Sequence, residues 1–418
     1  MPSARRPSLG AIFLTVFLDL LGFGIVMPFL AEEARDTFGS TAFVGTLLSA
    51  VYSLMQFLFV PVWGRLSDRI GRRPVLLWSI GVTALAMAGL GFGLSFGASI
   101  AWLFLARIVS GIATANLGTA SAYIADVTKP EERAKGMGLI GMAFGLGFIL
   151  GPGLGGVLAK VTIHGRHGAL PCFVAAGLSV VNLVWASLGL AESLSEERRK
   201  QAAAQPRSLA PLNLAAARQA FAQPGVALAV LVNFLIVVSF ANLDQTFRYF
   251  TKDSFGMSEP ETGIVLAFIG VVAALTQGGL VRQLAKRVDE AILIRAGVFL
   301  QILAFAGFAV APDVGTGMLF GAGAVLAIGN GLTQPSVSAF VSRRADPSAQ
   351  GATLGTNQAA SALARTFGPA FGGFVYGAVS RRAPYIAAAL GMAVAFGFAM
   401  LLRPLAKVGA APEPAAAE

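Results

Sequence analysis

The stretch that decides the fold is GRLSDRIGRR, from Gly64 to Arg73. It holds four arginines and one aspartate in ten residues, although only 12% of the 418 residues in the chain are charged and 56% are hydrophobic. Apolar runs lie on either side of it, near 42–63 and 73–93. An apolar helix of about 20 residues is long enough to cross the hydrocarbon core of a bilayer, which is about 30 Å thick. The stretch is therefore predicted to be a charged turn between two transmembrane helices.

The same pattern of apolar runs continues along the whole chain. Soluble domains contain about 25% charged residues, which is about twice the fraction in this sequence. We therefore predict an all-α membrane protein with twelve transmembrane helices and both termini on one side of the membrane. The apolar stretches lie near 9–31, 42–63, 73–93, 99–126, 136–160, 168–191, 225–250, 260–281, 291–311, 315–341, 350–379 and 382–403.

The distribution of lysine and arginine predicts the orientation. If both termini are cytoplasmic, 21 of the 31 basic residues fall in inner segments, 7 in outer segments and 3 within spans. Basic residues collect on the cytoplasmic side of membrane proteins. We therefore expect a multi-pass protein of the inner (plasma) membrane with cytoplasmic N- and C-termini. The net charge of +10 then belongs to loops beside a lipid bilayer, and no nucleic-acid partner is expected.

The two halves of the chain resemble each other. The run GPGLGG at 151–156 recurs as GPAFGG at 368–373, and SAY at 121–123 recurs as SAF at 338–340. Both pairs are separated by the same distance along the chain, which we call the repeat offset. Parallel repeats related by an axis along the membrane normal are a transporter architecture, with the substrate site between the repeats. The predicted division is an N-terminal six-helix bundle over 1–191, a cytoplasmic linker over 192–224, a C-terminal six-helix bundle over 225–403 and a disordered tail over 404–418.

Asp19 is the strongest candidate for a proton carrier. An ionisable side chain within a span costs about 2.5–3.5 kcal/mol on insertion scales and usually faces a cavity. Burial favours the neutral form of a carboxyl group, which lets such a group take up and release a proton. A structural carboxylate bonded to neighbouring helices is the alternative. The further candidates for the proton-coupling and substrate cavity are the polar or charged span residues Arg107, Asn116, Asp244, Asn330, Gln334 and Arg365.

These candidates have plainer interpretations as well. Arg107 either balances the charge of Asp19, holds substrate or cavity water, or extends toward the outer surface. Asp244 precedes Arg248 by four residues, so an ion pair within one helix is the alternative to a cavity role. Asparagine and glutamine commonly join membrane helices by hydrogen bonds. Arg365 needs a partner that the sequence does not identify.

Several kinds of chemistry are missing from the sequence. No GxxxxGK[ST] phosphate-binding loop is present, so ATP is not expected to drive this chain. The two histidines, His164 and His167, fall short of the three or four ligands of a zinc site. No catalytic set of side chains can be assembled in the membrane. We therefore expect neither an enzyme nor a cofactor or metal, and the proton gradient is the expected energy source.

The charged turn resembles the signature loop of the major facilitator superfamily. Arg107-x-x-x-Gly111 is similar to a second motif of that family, and GPGLGG after Gly147 is similar to the antiporter motif of its drug:proton exporters. The resemblance implies two pseudo-symmetric six-helix bundles that rock around a central site. It also implies roles for two sets of residues. The conformational latch comprises Gly64, Asp68, Arg69, Gly71, Arg72 and Asp126, and the antiporter motif comprises Gly147, Gly151, Pro152, Gly155 and Gly156.

The latch has a physical basis. Asp68 lies at the inner end of the second span, and the repeat places the start of the eleventh helix, near Gln350, close to it. A carboxylate near a helix N-terminus is stabilised by about 0.3–1 kcal/mol. Arg72 is expected to pair with Asp126 at the inner end of the fourth span. Retention of the loop on the cytoplasmic side by its arginines alone is the alternative.

The resemblance implies a monomeric, proton-coupled exporter of an amphipathic, drug-like small molecule. A transporter of a metabolite such as a sugar, siderophore or organic acid is the alternative within the same superfamily, and a non-transporting receptor on the same fold is a more distant one. Tetracycline exporters carry an acidic residue in the third helix. Residues 73–93 contain none, which puts tetracycline itself in doubt as the substrate.

Overall fold

The computed structural model describes residues 8–128, 133–197, 199–200, 218, 221–284, 287–344 and 350–403. Long helices dominate these residues, so the predicted all-α fold is confirmed. Among them, ten helices are long and apolar enough to cross a membrane; α5 and α11 are outside this set, so the count of twelve spans stays a prediction. The helices are α1 (Leu9–Phe38), α2 (Ala42–Ile70), α3 (Arg72–Phe96), α4 (Ile100–Val127), α5 (Arg133–Leu158), α6 (Ala169–Gly189), α7 (Val226–Phe255), α8 (Glu259–Val281), α9 (Glu290–Val314), α10 (Thr316–Arg344), α11 (Gln350–Ala378) and α12 (Ala383–Met400).

Corresponding helices of the two halves begin and end at positions that are related by the repeat offset. α1 and α7 are each 30 residues long, and both of their boundaries are related by the repeat offset. Each ends at a glycine in the left-handed region, Gly39 with φ 63° and Gly256 with φ 66°, where a side chain would strain the backbone. The next helix then begins at a hydroxyl-bearing N-cap, Thr41 before α2 and Ser258 before α8.

Small residues set the packing of the helices in both halves. α5 packs against α1 of its own half and against α8 of the other half, and α11 packs in the same way against α7 and α2. Small side chains at such crossings let helix backbones approach closely. The four contacts form two pairs related by the repeat offset: Gly151 on Gly24 with Gly368 on Ala241, and Gly156 on Gly263 with Gly373 on Thr46.

The fourth span departs from the predicted continuous helix over 99–126. α4 consists of two helical parts, Ile100–Ala113 and Leu117–Val127, separated by a turn at 114–116. The carbonyl oxygen of Ala113 accepts a hydrogen bond from Ser79 Oγ at 2.7 Å. The carbonyl oxygen of Thr114 accepts one from Gln56 Nε2 at 3.4 Å. The interruption leaves backbone carbonyl groups without hydrogen bonds inside the helix, and side chains of neighbouring helices donate to them instead. A broken helix is tolerated inside a membrane only where its free backbone groups find such partners.

The outer surface of the helices exposes large apolar side chains. Leu85 is 74% exposed, Leu275 70% and Val379 71%. A water-soluble protein rarely exposes large apolar side chains on so many of its helices. The surface is therefore suited to contact with lipid.

Candidate functional site

The Asp19 carboxylate is held by two amide side chains. Asn116 Nδ2 donates to one carboxylate oxygen at 3.3 Å, and Asn182 Nδ2 donates to the other at 3.0 Å. Asn116 lies at the turn that interrupts α4 and also donates to Ser79 Oγ at 2.6 Å. Asn182, on α6, also donates to the carbonyl oxygen of Thr15 at 3.0 Å. No basic side chain of the described residues forms an ion pair with Asp19.

Asn182 is a member of this site that the sequence analysis missed. Its side chain is fully buried, and its carbonyl oxygen Oδ1 has no hydrogen-bond partner among the described residues. A buried polar atom without a partner is costly and uncommon. The signal in the sequence was a single asparagine within the apolar run 168–191, and its contact with α1 depends on helix packing.

Arg107 is fully buried, which removes the interpretation that it extends to the outer surface. It does not pair with Asp19 either. Its guanidinium lies over the ring of Tyr52, 4.1 Å from the ring centre. Nη2 is 2.9 Å from the sulfur of Met27, Nε donates to the carbonyl oxygen of Leu48 at 3.4 Å, and Nη1 has no partner among the described residues. A buried guanidinium therefore lacks a counter-charge in the described part of the chain.

Tyr52 lies between Arg107 and the interruption of α4. Its hydroxyl is bonded to Gln56 Nε2 at 3.0 Å and to Thr114 Oγ1 at 2.7 Å. Arg107, Arg365 and Asp19 all interact electrostatically with it. Arg365 itself is half-buried on α11 and forms no hydrogen bond or ion pair with the described residues. The structure thus places Arg107 in direct contact with a tyrosine that the sequence analysis did not select.

The remaining cavity candidates lie outside this group. Asp244 accepts a hydrogen bond from Gln245 Nε2 at 2.6 Å and does not pair with Arg248, so the interpretation as an ion pair within one helix is wrong. Asn330 and Gln334 are half-buried on α10 and make no described hydrogen bond to Asp19, Arg107 or Arg365. The structure does not bring these residues together with Asp19.

Ion pairs between the halves join them at the predicted outer end. Glu32 on α1 pairs with Arg248 on α7, and the two side chains are only 2% and 6% exposed. Lys252 on α7 lies 2.7 Å from a second oxygen of Glu32. Arg35 on α1 lies 3.4 Å from Asp253 on α7. The sequence analysis counted the bases of this group as outer residues but did not find their acidic partners. Glu32 lies just beyond the apolar run of the first span, and Asp253 lies just beyond that of the seventh.

Arg72 is the centre of the charged turn between α2 and α3. Its guanidinium lies 2.6 Å from Asp68 and 3.2 Å from Asp126, the partner expected from the sequence. The backbone amides of Arg72 and Arg73 donate to the Glu192 carboxylate at 2.9 and 3.1 Å. A carboxylate at a helix N-terminus stabilises the helix by satisfying its free amides and its dipole. Glu192, at the start of the predicted linker, therefore ties that segment to the turn.

The other latch residues have different settings. Gly71 has φ 108°, in the region that favours glycine, and an added Cβ would meet the Glu192 carboxylate. Arg69 is half-buried, and an added Cβ at Gly64 would meet open space. The expected contact between Asp68 and the start of α11 lies outside the described residues, because 345–349 and the side chain of Gln350 are not described. That contact stays a prediction.

The antiporter-motif glycines of α5 lie against backbone of α1 and α8. An added Cβ at Gly147 would lie 3.0 Å from Leu20, and one at Gly151 would lie 2.6 Å from Gly24. Pro152 lies within α5 without ending it. Gly155 lies against the carbonyl oxygen of Ile25. An added Cβ at Gly156 would lie 3.2 Å from the Cα of Gly263. Through this motif, α5 therefore contacts both α1 of its own half and α8 of the other half.

Known proteins resemble this chain over most of its length. The chain is 35% identical over 369 residues to the tetracycline resistance protein, class C, of Escherichia coli, covering 87% of this chain and 88% of that protein. It is 27% identical to multidrug resistance protein 2 of Bacillus subtilis (strain 168), with 92% of each chain covered. The crystal structure of the human organic anion transporter MFSD10 (TETRAN) matches with a TM-score of 0.71 and 26% identity, over 96% of this chain and 100% of that one.

The sequence profile of the Major Facilitator Superfamily matches residues 12–363. This range begins within α1 and ends within α11, so it includes both halves of the repeat. The relatives are transporters, which need no cofactor for this activity. The chain therefore belongs to the major facilitator superfamily and is a membrane transporter rather than an enzyme.

Proposed function

We propose that the protein exports an amphipathic, drug-like small molecule in exchange for protons. It does so as a monomer in the plasma membrane, with both termini in the cytoplasm. The names of its relatives include tetracycline resistance, multidrug resistance and organic anion transport. They support transport of an organic molecule with both polar and apolar parts without selecting one compound.

The observation that supports proton coupling is the hydrogen-bonding environment of the Asp19 carboxylate. Two amides hold both oxygens of its carboxylate at 3.0 and 3.3 Å, and no described basic side chain neutralises it. A carboxyl group in such a place exchanges a proton more easily than one locked in an ion pair. Asp19 is the proton-binding group of the proposal.

Alternating access follows from the contacts between halves. The ion pairs of Glu32 with Arg248 and Lys252 join the halves at the outer end, and the cavity is expected to open toward the cytoplasm in this state. In the opposite state the outer ion pairs are lost, and the contact between Asp68 and α11 holds the inner end closed. The small residues of α5 and α11 keep the halves in close contact as they rock.

The proton gradient supplies enough energy for this exchange. One elementary charge that moves across 100 mV is worth about 2.3 kcal/mol. At about 1.4 kcal/mol for each factor of ten, that is roughly a fifty-fold concentration ratio of the exported molecule.

The test uses everted membrane vesicles with an acidic interior and a pH-sensitive dye. Addition of a transported drug from a panel of amphipathic compounds is expected to release protons from the vesicles. Asp19→Asn is expected to abolish that release, because the amide cannot carry the proton. Asp313→Asn, which changes a 60% exposed carboxylate that pairs with Arg382 within the second half, is the matched control and is expected to retain release.

Three outcomes decide between the possibilities. Proton release that depends on substrate and is lost in Asp19→Asn supports the proposal. Equal release in both proteins removes Asp19 from the proton path. Absence of release with every compound, from protein shown to be folded, overturns drug:proton exchange and favours transport of a metabolite.

A further inference from the structure

A chain of hydrogen bonds joins the Asp19 carboxylate to the interruption of α4. Asn116 Nδ2 donates to Asp19 at 3.3 Å and to Ser79 Oγ at 2.6 Å. Ser79 Oγ in turn donates to the carbonyl oxygen of Ala113 at 2.7 Å. Ala113 is the last residue of the outer part of α4. A carbonyl group that the interruption exposes is therefore connected, through two polar side chains, to the proposed proton carrier.

Only a small change of the backbone would make α4 continuous. The turn is bounded by Thr114, with φ −76° and ψ 4°, and Asn116, with φ −84° and ψ −7°. Helical residues have ψ near −42°, so a rotation of about 40° in ψ at each residue would give helical backbone. The first backbone hydrogen bond of the inner part runs from Ala120 N to Asn116 O at 2.9 Å, so the amides of 117–119 have no acceptor within that part. In a continuous helix the amide of residue 117 would bond to the carbonyl oxygen of Ala113.

The charge of Asp19 decides between the broken and the continuous arrangement. Hydrogen bonds to an ionised carboxylate are roughly twice as strong as those between neutral groups. While Asp19 is ionised, it holds the Asn116 amide, and Asn116 donates to Ser79 Oγ, which leaves the hydroxyl hydrogen of Ser79 for Ala113. A proton on Asp19 weakens the first bond of this chain. The Ala113 carbonyl oxygen is then free to accept from the backbone of α4, so neutralisation of Asp19 favours the continuous helix.

Few other titratable groups lie near Asp19 on the helices packed against α1. Tyr52 of α2 interacts electrostatically with it, and Arg107 of α4 packs over the far side of that ring as a neighbour of Tyr52. α6 contains no Asp, Glu, Lys, Arg or His, and in α3 and α5 such residues occur only in the first turn, at the inner end. α7 meets α1 at the outer end, where Arg248 binds Glu32. The charge that acts on Asn116 is therefore that of Asp19.

The inner part of α4 leads from the interruption to the charged turn. It spans Leu117–Val127 and carries Asp126, which lies 3.2 Å from Arg72. The outer part carries Arg107, which is held over the Tyr52 ring. Closure of the interruption changes the direction of the inner part relative to the outer part, so it moves Asp126 relative to Arg72.

We propose that the interruption of α4 is a proton-operated switch, which is broken while Asp19 is ionised and becomes a continuous helix when Asp19 binds a proton. Asn116 and Ser79 are its positioning residues. The inference rests on the proposed function, in which Asp19 is the proton-binding group. It adds the element that has two arrangements and that transmits the bound proton to the cytoplasmic end.

The experiment measures amide hydrogen exchange in the purified full chain, in peptides that cover 114–120. Asp19→Asn has a neutral side chain at every pH and is expected to slow exchange of the amides of 117–119 about tenfold, because these amides gain helical acceptors. Asp244→Asn is the matched control. Asp244 is also a half-buried carboxylate within a span and is held by an amide side chain, that of Gln245 on the same helix, so this change is expected to leave exchange at 117–119 unchanged.

The dependence on pH distinguishes the switch from a purely structural role. In the wild-type protein, protection of 117–119, corrected for the intrinsic effect of pH on exchange, is expected to rise as the pH falls, because protonation of Asp19 closes the interruption. Ser79→Ala removes the link to Ala113 and is expected to abolish this dependence. Thr83→Val, which removes a buried hydroxyl that bonds within α3, is its control and is expected to keep the dependence. Size-exclusion profiles show whether each variant is folded.

The results separate this inference from the function on which it rests. Equal exchange at 117–119 in Asp19→Asn and wild type, or an equal change in Asp244→Asn, overturns the switch and leaves proton exchange to the vesicle assay. A pH dependence that survives in Ser79→Ala overturns the hydrogen-bonded chain as its mechanism. Slower exchange in Asp19→Asn, from a protein whose vesicles show no proton release, supports the switch and overturns proton exchange.

Discussion

Neutralising Glu32 is expected to open the outer end of the bundle. Glu32 and Arg248 are 2% and 6% exposed, so Glu32→Gln leaves a buried guanidinium without its counter-charge. Removal of one partner of a buried ion pair costs about 3–5 kcal/mol. The contact joins the two halves, so this cost falls on the state that is closed at the outer end. The equilibrium between the two states is then expected to shift by roughly two to nearly four orders of magnitude toward outer opening.

Asp36→Asn is the matched control for this change. Asp36 lies on the same helix and contacts the same lysine, Lys252, at 2.7 Å, but its side chain is 48% exposed. An exposed ion pair is worth about 0–1 kcal/mol, so the control is expected to shift the equilibrium by about fivefold at most. The two variants remove the same charge and differ in burial.

The assay is the distance between spin labels at the outer ends of α1 and α7. Labels at Phe38→Cys and Phe255→Cys report opening, and Cys172, the single natural cysteine, is buried and is replaced by alanine. Glu32→Gln is expected to populate a longer distance that Asp36→Asn does not. An unchanged distribution in Glu32→Gln, or equal changes in both variants, would refute the argument that burial makes this ion pair a lock.

Two further predictions concern the scaffold. Gly151→Ala places a Cβ 2.6 Å from Gly24 and is expected to lower the thermal unfolding temperature of the purified protein, whereas Gly177→Ala, which meets open space on α6, is expected to leave it unchanged or raise it; equal effects would show that the close contact of α1 and α5 is unimportant. Glu192→Gln weakens the hydrogen bonds to the first amides of α3 and is expected to cost about 1 kcal/mol, seen as faster amide hydrogen exchange there. The exposed Glu196→Gln is its control, and equal exchange in the two would contradict this role.

The sequence predicted the features that depend on local pattern or on the repeat. Apolar runs predicted the helices, and the repeat offset holds for helix boundaries and for contacts such as Gly151 with Gly24. The pair of Arg72 with Asp126 was predicted from the position of both residues at the inner ends of their spans and lies at 3.2 Å. These features can be predicted from the types of residues and their spacing along the chain.

The features that were missed depend on which helices meet. The interruption of α4 is stabilised by Ser79 and Gln56 from other helices, and nothing within the fourth span marks it. Tyr52 is an ordinary aromatic residue in an apolar run, and it becomes central only because Arg107 packs over its ring. Asn182 lies on α6, far along the chain from its partner Asp19 on α1. Helix packing creates these partners, and no periodicity within one span encodes them.

The repeat duplicates the helix-packing contacts of this protein but not its charged candidate residues. The glycine contacts occur in both halves at corresponding positions. This is expected if the two halves must stay in close contact while they rock. The charged groups are not duplicated: the repeat offset relates Asp19 to the fully buried Ile236 and Arg107 to Ala324. The repeat therefore supplies no second copy of Asp19 or of Arg107. The close helix contacts are thus a property of both halves, whereas these two charged candidates belong to the first half alone.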